Sequence, residues 1–266
     1  MKIHAIIQAR MGSTRLPNKI LMPVNGKPLL GWMLDRLSSS RSITDIIVAT
    51  TTDNRDDPIE EYVLSEGWKV FRGSEHDVLD RYYRAAQAFS SDVILRLTSD
   101  CPLLDPAIVD RMVMEFLSRQ CDFLSNSEPL PSSWPDGMDV SIFSFSALQE
   151  AALNAKKPSE REHVTFYFWN SPRNLKTYKV EHNPSLEKYR ITLDYSEDFA
   201  LIEKIIENLY ADRDPRTAIH PSLNEIVEFL DRHPALFALN SMYHHGIGWA
   251  PSFERDAEQE AKGFQP

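Results

Sequence analysis

Over its first 125 residues the chain alternates short apolar runs with amphipathic stretches that begin on helix-start signals. That alternation confines it to a mostly parallel β-sheet with crossover helices, an α/β fold. The spacing predicts strands at Ile3–Gln8, Asp45–Thr50, Lys69–Arg72, Val93–Thr98 and Asp122–Ser125. Helices are expected between them. Asp57-Pro58-Ile59-Glu60 reads as a cap, a first-turn proline and an acid before a helix that Gly67 ends. Asp105-Pro106 opens another in the same way, with Ile108, Val109, Met112, Val113 and Phe116 on its apolar face. Pro28 is expected to start a helix over Leu29–Ser38.

Residues 126–140 break this rhythm with Pro129, Pro131 and Pro135 among serines, which predicts an extended excursion. A strand at Asp139–Phe143 and helices near Ser146–Ala155 and Ser159–Trp169 follow, then strands at Leu175–Val180 and Tyr189–Leu193. Asp212-Arg213-Asp214-Pro215 reads as a linker turn and Leu223–Arg232 as an amphipathic helix. We therefore expect a catalytic unit over residues 1–210, with an insertion at about 126–188, and a helical C-terminal extension over 211–266. His244-His245 lacks a carboxylate or cysteine at ligand spacing and is not expected to form a metal site.

A formal net charge of −10 argues against a nucleic-acid partner. The two cysteines, Cys101 and Cys121, form neither a disulfide framework nor a metal-ligand spacing. With no secretory leader and no apolar run of membrane-spanning length, a cytoplasmic protein without a membrane partner is expected.

The chain's few cations are nevertheless gathered where they matter. Gln8-Ala9-Arg10-Met11-Gly12-Ser13-Thr14-Arg15-Leu16-Pro17-Asn18-Lys19 follows the first strand directly. A loop at the carboxyl end of such a strand is where open α/β sheets bind phosphates. Arg10, Arg15 and Lys19, with the Ser13 hydroxyl, suit a triphosphate. A solvated basic turn is the plain alternative, and the loop is not a Walker motif. Two acids stand at comparable strand ends. Asp100, in Leu97-Thr98-Ser99-Asp100-Cys101-Pro102, follows the Val93–Thr98 strand. Asp194, in Arg190-Ile191-Thr192-Leu193-Asp194, precedes a helix that Ser196 is expected to start, with Glu197 and Asp198 as acids favouring its dipole. Both are candidates to hold Mg²⁺, which takes one or two carboxylates plus phosphate oxygens; a turn or capping role is the alternative for Asp100.

The segment from Gln8 to Lys19 resembles the signature of the cytidylyltransferases that activate acidic sugars, the CMP-Kdo and CMP-acylneuraminate synthetases. The branch it most resembles is that of the spore coat polysaccharide protein F. The resemblance runs from residue 1 to about residue 210 and implies a nucleotide-diphospho-sugar transferase-like fold. It implies transfer of CMP from CTP to a 2-keto-3-deoxy sugar acid (octulosonic or nonulosonic) with release of pyrophosphate, and a homodimer formed through the insertion. By the same resemblance Gln8, Ala9, Arg10 and Ser13 border the nucleotide, and Arg15 and Lys19 neutralise the triphosphate. Asp100 and Asp194 match its magnesium carboxylates, and Arg72 and Ser74 border the base and ribose. Asp136-Gly137-Met138-Asp139 and Arg161-Glu162-His163 resemble the branch's own acceptor-site signatures. In that reading Arg161 pairs with an acceptor carboxylate and His163 orients or deprotonates the attacking hydroxyl; a solvated helix face and a satisfied histidine are the alternatives. Asp77 and Arg81 stand four apart and could form a helix-face ion pair. A nucleotidyltransferase of other base or sugar specificity and a non-enzymatic nucleotide-sensing subunit also remain open.

Overall fold

A computed structural model describes residues 1–169, 175–211, 213–214, 219–247 and 249–261. In chain order the strands are β1 Ile3–Gln8, β2 Pro23–Val24, β3 Lys27–Pro28, β4 Asp45–Thr51, β5 Lys69–Gly73, β6 Val93–Thr98, β7 Phe123–Ser125, β8 Ser141–Ser144 and β9 Thr177–Lys179. The helices are α1 Leu29–Ser38, α2 Asp57–Ser65, α3 Val78–Phe89, α4 Pro106–Arg119, α5 Phe145–Asn154, α6 Pro158–His163, α7 Phe166–Trp169, α8 Ser196–Leu209, α9 Leu223–Arg232, α10 Pro234–Phe237 and α11 Ala250–Ala261.

Seven strands form one sheet in the order β5-β4-β1-β6-β8-β7-β9. β1, β4, β5 and β6 run parallel, and β8 is antiparallel to both of its neighbours. The connection after β1 runs to β4 on one side and the connection after β6 runs to β7 and β8 on the other, so a crevice opens beyond the carboxyl ends of β1 and β6, the usual ligand position in such sheets. Side-chain alternation sorts the core onto two faces. Ala5, Ile7, Leu95 and Leu97 pack with α1, α4, α8 and α9, whereas Ile6, Ile47 and Ile94 pack with α3, α5 and α7. Leu223, Ile226, Phe229 and Leu230 of α9 belong to the first of these clusters. The Asp105 carboxylate ties that helix down: it accepts from Ala107 N (2.8 Å) to cap α4 and from Leu223 N (2.7 Å).

Four local expectations change. Tyr189–Leu193 is extended but is not a strand. Its amides are taken by the Asp136 carbonyl (Ile191 N, 2.7 Å) and the Asp100 carbonyl (Leu193 N, 2.8 Å), leaving one bridge, Asp136 to Arg190. The single helix expected over Ser159–Trp169 divides into α6 and α7, because Val164 turns to a φ of +61°. α2 starts one residue early, and Asp56 rather than Asp57 occupies its cap position. The Asp56 carboxylate instead accepts from Met11 N (2.7 Å) and from the Thr51 hydroxyl, bracing the loop after β1. In α8 the cap is Tyr195 and Ser196 lies inside the helix. The expected linker turn falls partly outside the described residues, at Asp212 and Pro215. Both cysteines are buried and unbridged.

Candidate active site

The loop after β1 folds so that its cations meet the two acids. Asn18 adopts a left-handed conformation, φ +59°, and Lys19 then begins a short 3₁₀ turn, Lys19–Leu21. This turns the Lys19 side chain inward. Its Nζ donates to the Leu193 carbonyl at 2.6 Å and to Asp194 Oδ1 at 2.9 Å, and lies 3.5 Å from Asp100 Oδ2. Arg15 Nη2 reaches the same Asp194 oxygen at 2.6 Å, and its guanidinium stands over the Tyr195 ring. Burial alone would lower the Lys19 pKa; the Asp100 and Asp194 carboxylates outweigh it and raise the value. Burial likewise opposes ionisation of Asp194, but Lys19, Arg15 and Arg190 hold its pKa below the ordinary carboxylate value. Asp194 is therefore not the free carboxylate its position before a helix cap suggested. It shares three cations.

Behind it lies a buried ion network. Arg190 donates from Nε and Nη2 to the two oxygens of Asp198, each at 2.9 Å, and from Nη1 to Asp136 Oδ2 at 2.5 Å. Asp198 is fully buried. It also accepts from Asp194 N (2.9 Å), Tyr195 N (3.0 Å) and Asn240 Nδ2 (2.7 Å). The sequence suggested a dipole-favouring acid. Instead, Asp198 orients Asp194 and the start of α8.

A third group faces the same space. Asp136 Oδ1 and Asp139 Oδ1 lie 4.0 and 3.9 Å from His245 Nε2, and Asp139 Oδ1 is buried without a hydrogen-bond partner among the described residues. Burial pushes the Asp136 carboxyl up to about 7, against the pull of His245 and Arg190. Asp136, Asp139 and His245 are a group that could hold a metal ion. Local spacing showed no carboxylate near His245 because its acids come from more than 100 residues away in the chain. Gly137 makes the arrangement possible. With φ at +107°, a Cβ there would stand 2.5 Å from the Ile191 carbonyl carbon and 2.6 Å from Thr192 N. We expect Gly137→Ala to destabilise the fold by about 2–4 kcal/mol and to displace Asp136 and Asp139, measured by denaturant unfolding.

One cavity of about 890 Å³ joins these groups along the carboxyl edge of β1 and β6. Gln8, Ala9, Arg10, Ser13, Arg15 and Lys19 line one part of it. Asp100 and Asp194 stand beside them, and Asp136, Asp139, Arg161, Glu162 and His163 line the remainder. Two predicted residues do not reach it. Arg72 turns away to Asp57 (2.7 Å), Glu60 (2.8 Å) and the carbonyls of Thr51 (2.7 Å) and Asp53 (2.8 Å). Ser74 Oγ accepts from Asp77 N at 3.0 Å, bracing the turn before α3.

Within the second part Arg161, Glu162 and His163 are already paired. Arg161 donates to Asp77 and, at 2.7 Å, to the Ala152 carbonyl, so its fork is not open to an acceptor. Asp77 caps α3 through Asp80 N (2.9 Å) and does not pair with Arg81. Glu162 binds Arg255 and accepts from Ser252 Oγ at 2.8 Å, and His163 Nε2 lies 2.8 Å from that same hydroxyl. Burial holds His163 down at about 4. It is an uncharged hydrogen-bonding imidazole at neutral pH and a weak base. Sequence reasoning missed Arg190, Tyr195 and the contributions of His245, Trp249 and Arg255, which join the lining from distant segments. It also missed Arg96, although a lone arginine inside Val93-Ile94-Leu95-Arg96-Leu97-Thr98 was a readable signal.

The sheet order, the crevice beyond β1 and the helices on both faces define a nucleotidyltransferase-like α/β fold. The sequence profile of the cytidylyltransferases matches residues 4–226, and the chain belongs to that enzyme family. The spore coat polysaccharide biosynthesis protein SpsF of Bacillus subtilis is 32% identical over 241 residues, spanning 86% of this chain and 94% of that protein. A solved cytidylyltransferase from Leptospira borgpetersenii is 36% identical with a TM-score of 0.83, covering 92% of this chain and 100% of that one. The 3-deoxy-manno-octulosonate cytidylyltransferase of Geobacter sulfurreducens is 34% identical over 115 residues, 42% of this chain and 44% of its own length. No helix among the described residues is long and apolar enough to cross a membrane.

Proposed function

We propose that the protein transfers CMP from CTP to a 2-keto-3-deoxy sugar acid for surface polysaccharide or glycan synthesis. The observation that supports this most is the convergence of Lys19, Arg15, Asp100 and Asp194 at the carboxyl edge of β1. Gln8 and Ala9 border the base, and Arg10, Ser13, Arg15 and Lys19 take the phosphates. Asp100 and Asp194 fit a divalent cation, because the Lys19 ammonium already lies within 3.5 Å of both. Mg²⁺ is the ion we assign, and when bound it supplies charge neutralisation at the α-phosphate. Lys19 and Arg15 then turn from the carboxylates to the phosphate oxygens. The acceptor's anomeric oxygen bonds to the α-phosphorus, the bond from that phosphorus to the bridging oxygen breaks, and pyrophosphate leaves with the electron pair. The acceptor's proton departs to solvent or to a neighbouring group. The same reading carries a homodimer and a cytoplasmic location.

Calorimetric titration of CTP, UTP, GTP and ATP with magnesium tests the nucleotide. CTP is expected to bind selectively, and Lys19→Ala to weaken it by about tenfold or more. Preference for another nucleotide moves the protein to a sister specificity.

A further inference from the structure

Arg96 is charged in a strand that is otherwise apolar up to Thr98. Its neighbours Leu95 and Leu97 belong to one core cluster, and Ile94 to the other. Arg96 shares the Ile94 face and emerges where that cluster ends at the cavity. Its Nε is buried without an acceptor, and among the described residues its guanidinium has no hydrogen bond or ion pair.

The contrast with the other arginines around the cavity is sharp. Arg15 is held by Asp194, Arg161 by Asp77, Arg190 by Asp198 and Arg255 by Glu162; Arg81 donates from Nη1 to the Ser74 carbonyl, although its Nε also lacks an acceptor among the described residues. Arg10 is exposed on the loop. A buried cationic donor left unmade is costly unless a ligand completes it. The groups that act electrostatically with Arg96 are Tyr82, Glu128 and His163. Glu128 is buried and accepts from Trp169 Nε1 at 3.2 Å rather than from Arg96. Burial raises its pKa, and Arg96 opposes that shift.

We propose that Arg96 is the carboxylate anchor of the acceptor subsite, its guanidinium taking the acid group of a sugar acid between β6 and His163. The assignment rests on the cytidylyltransferase reading above and replaces Arg161 in the role the sequence suggested for it. A monoanionic carboxylate suits the position better than a phosphate, because the carboxyls of Glu128 and Asp139 line the same cavity. Phosphate chemistry has its own cations in Arg15 and Lys19. Ser127 and Glu128, which also line the cavity, are placed for the sugar hydroxyls.

The test is calorimetric titration of 3-deoxy-manno-octulosonate into the full chain loaded with CDP, which occupies the nucleotide site without a transferable CMP-pyrophosphate bond. Arg96→Gln is expected to weaken acid binding by about tenfold or more. Its affinity for CDP should stay within about twofold and its melting temperature close to wild type, since no existing bond is lost. Arg96→Lys, which keeps the charge and loses the fork, should fall between. Equal binding by Arg96→Gln, failure of the wild-type chain to bind the acid, or a large fall in melting temperature overturns the assignment. A wild-type chain that binds the acid in an Arg96-dependent way but binds no cytidine nucleotide supports the subsite and overturns the nucleotide reading instead.

Discussion

Asp100→Asn lowers kcat by about a thousandfold and leaves the melting temperature within about 2 °C of wild type: that is the result we expect from removing one carboxylate charge at this position. The two halves of the expectation have separate causes. Structurally, Asp100 acts through its backbone. Its carbonyl accepts from Leu193 N at 2.8 Å and from Thr192 Oγ1 at 3.1 Å, which moors the extended segment carrying Asp194. The side chain makes only a 3.5 Å approach to Lys19 and a weak contact with the Cys101 thiol at 3.7 Å. Asparagine keeps the backbone bonds and the shape. Chemically, the change leaves Asp194 as the lone carboxylate at the proposed cation position, with three cations already competing for it. Steady-state kinetics and thermal melts on the pair decide the matter. A variant that retained wild-type kcat would move the metal assignment to Asp136, Asp139 and His245.

The second large effect is on stability. Asp198→Ala is expected to destabilise the fold by about 3–5 kcal/mol and lower the melting temperature by roughly 10 °C. Arg190 is 6% exposed and takes two hydrogen bonds to Asp198. Without that carboxylate its charge stays buried with only Asp136 and a long contact to Asp194. The amides of Asp194 and Tyr195 and the Asn240 side chain also lose their acceptor. Leaving such donors unmade in the interior costs more than the net worth of the pair. Denaturant unfolding measures the loss. A change below about 1 kcal/mol would mean that the network adds little beyond packing.

These two residues show what local pattern carries and what it does not. The strands of the parallel half were legible to within a residue, because buried parallel strands are near-continuous apolar runs bounded by turns. α1 and α9 were legible at both ends. The break between α6 and α7 was not, since it depends on a left-handed Val164 that no glycine or proline announces. Asp198 was misread for a different reason. Three residues into a helix, an acid favours the dipole whether it faces water or a buried arginine, and only packing distinguishes them.

The candidate site divides in the same way. The loop Gln8–Lys19 and the position of Asp100 are local features, set by which residues follow an apolar strand, and they lie together because parallel strands bring their carboxyl ends to one edge. Partnership is not local. Whether Arg161 or Arg96 has an open guanidinium depends on Asp77 and the Ala152 carbonyl reaching one and no acceptor among the described residues reaching the other. Whether His245 faces carboxylates depends on the C-terminal segment returning to Asp136 and Asp139. Hydrophobic period and turn chemistry act over a few residues and so are written along the chain. Burial and charge pairing act through space, and the folded chain alone decides which cations find a partner.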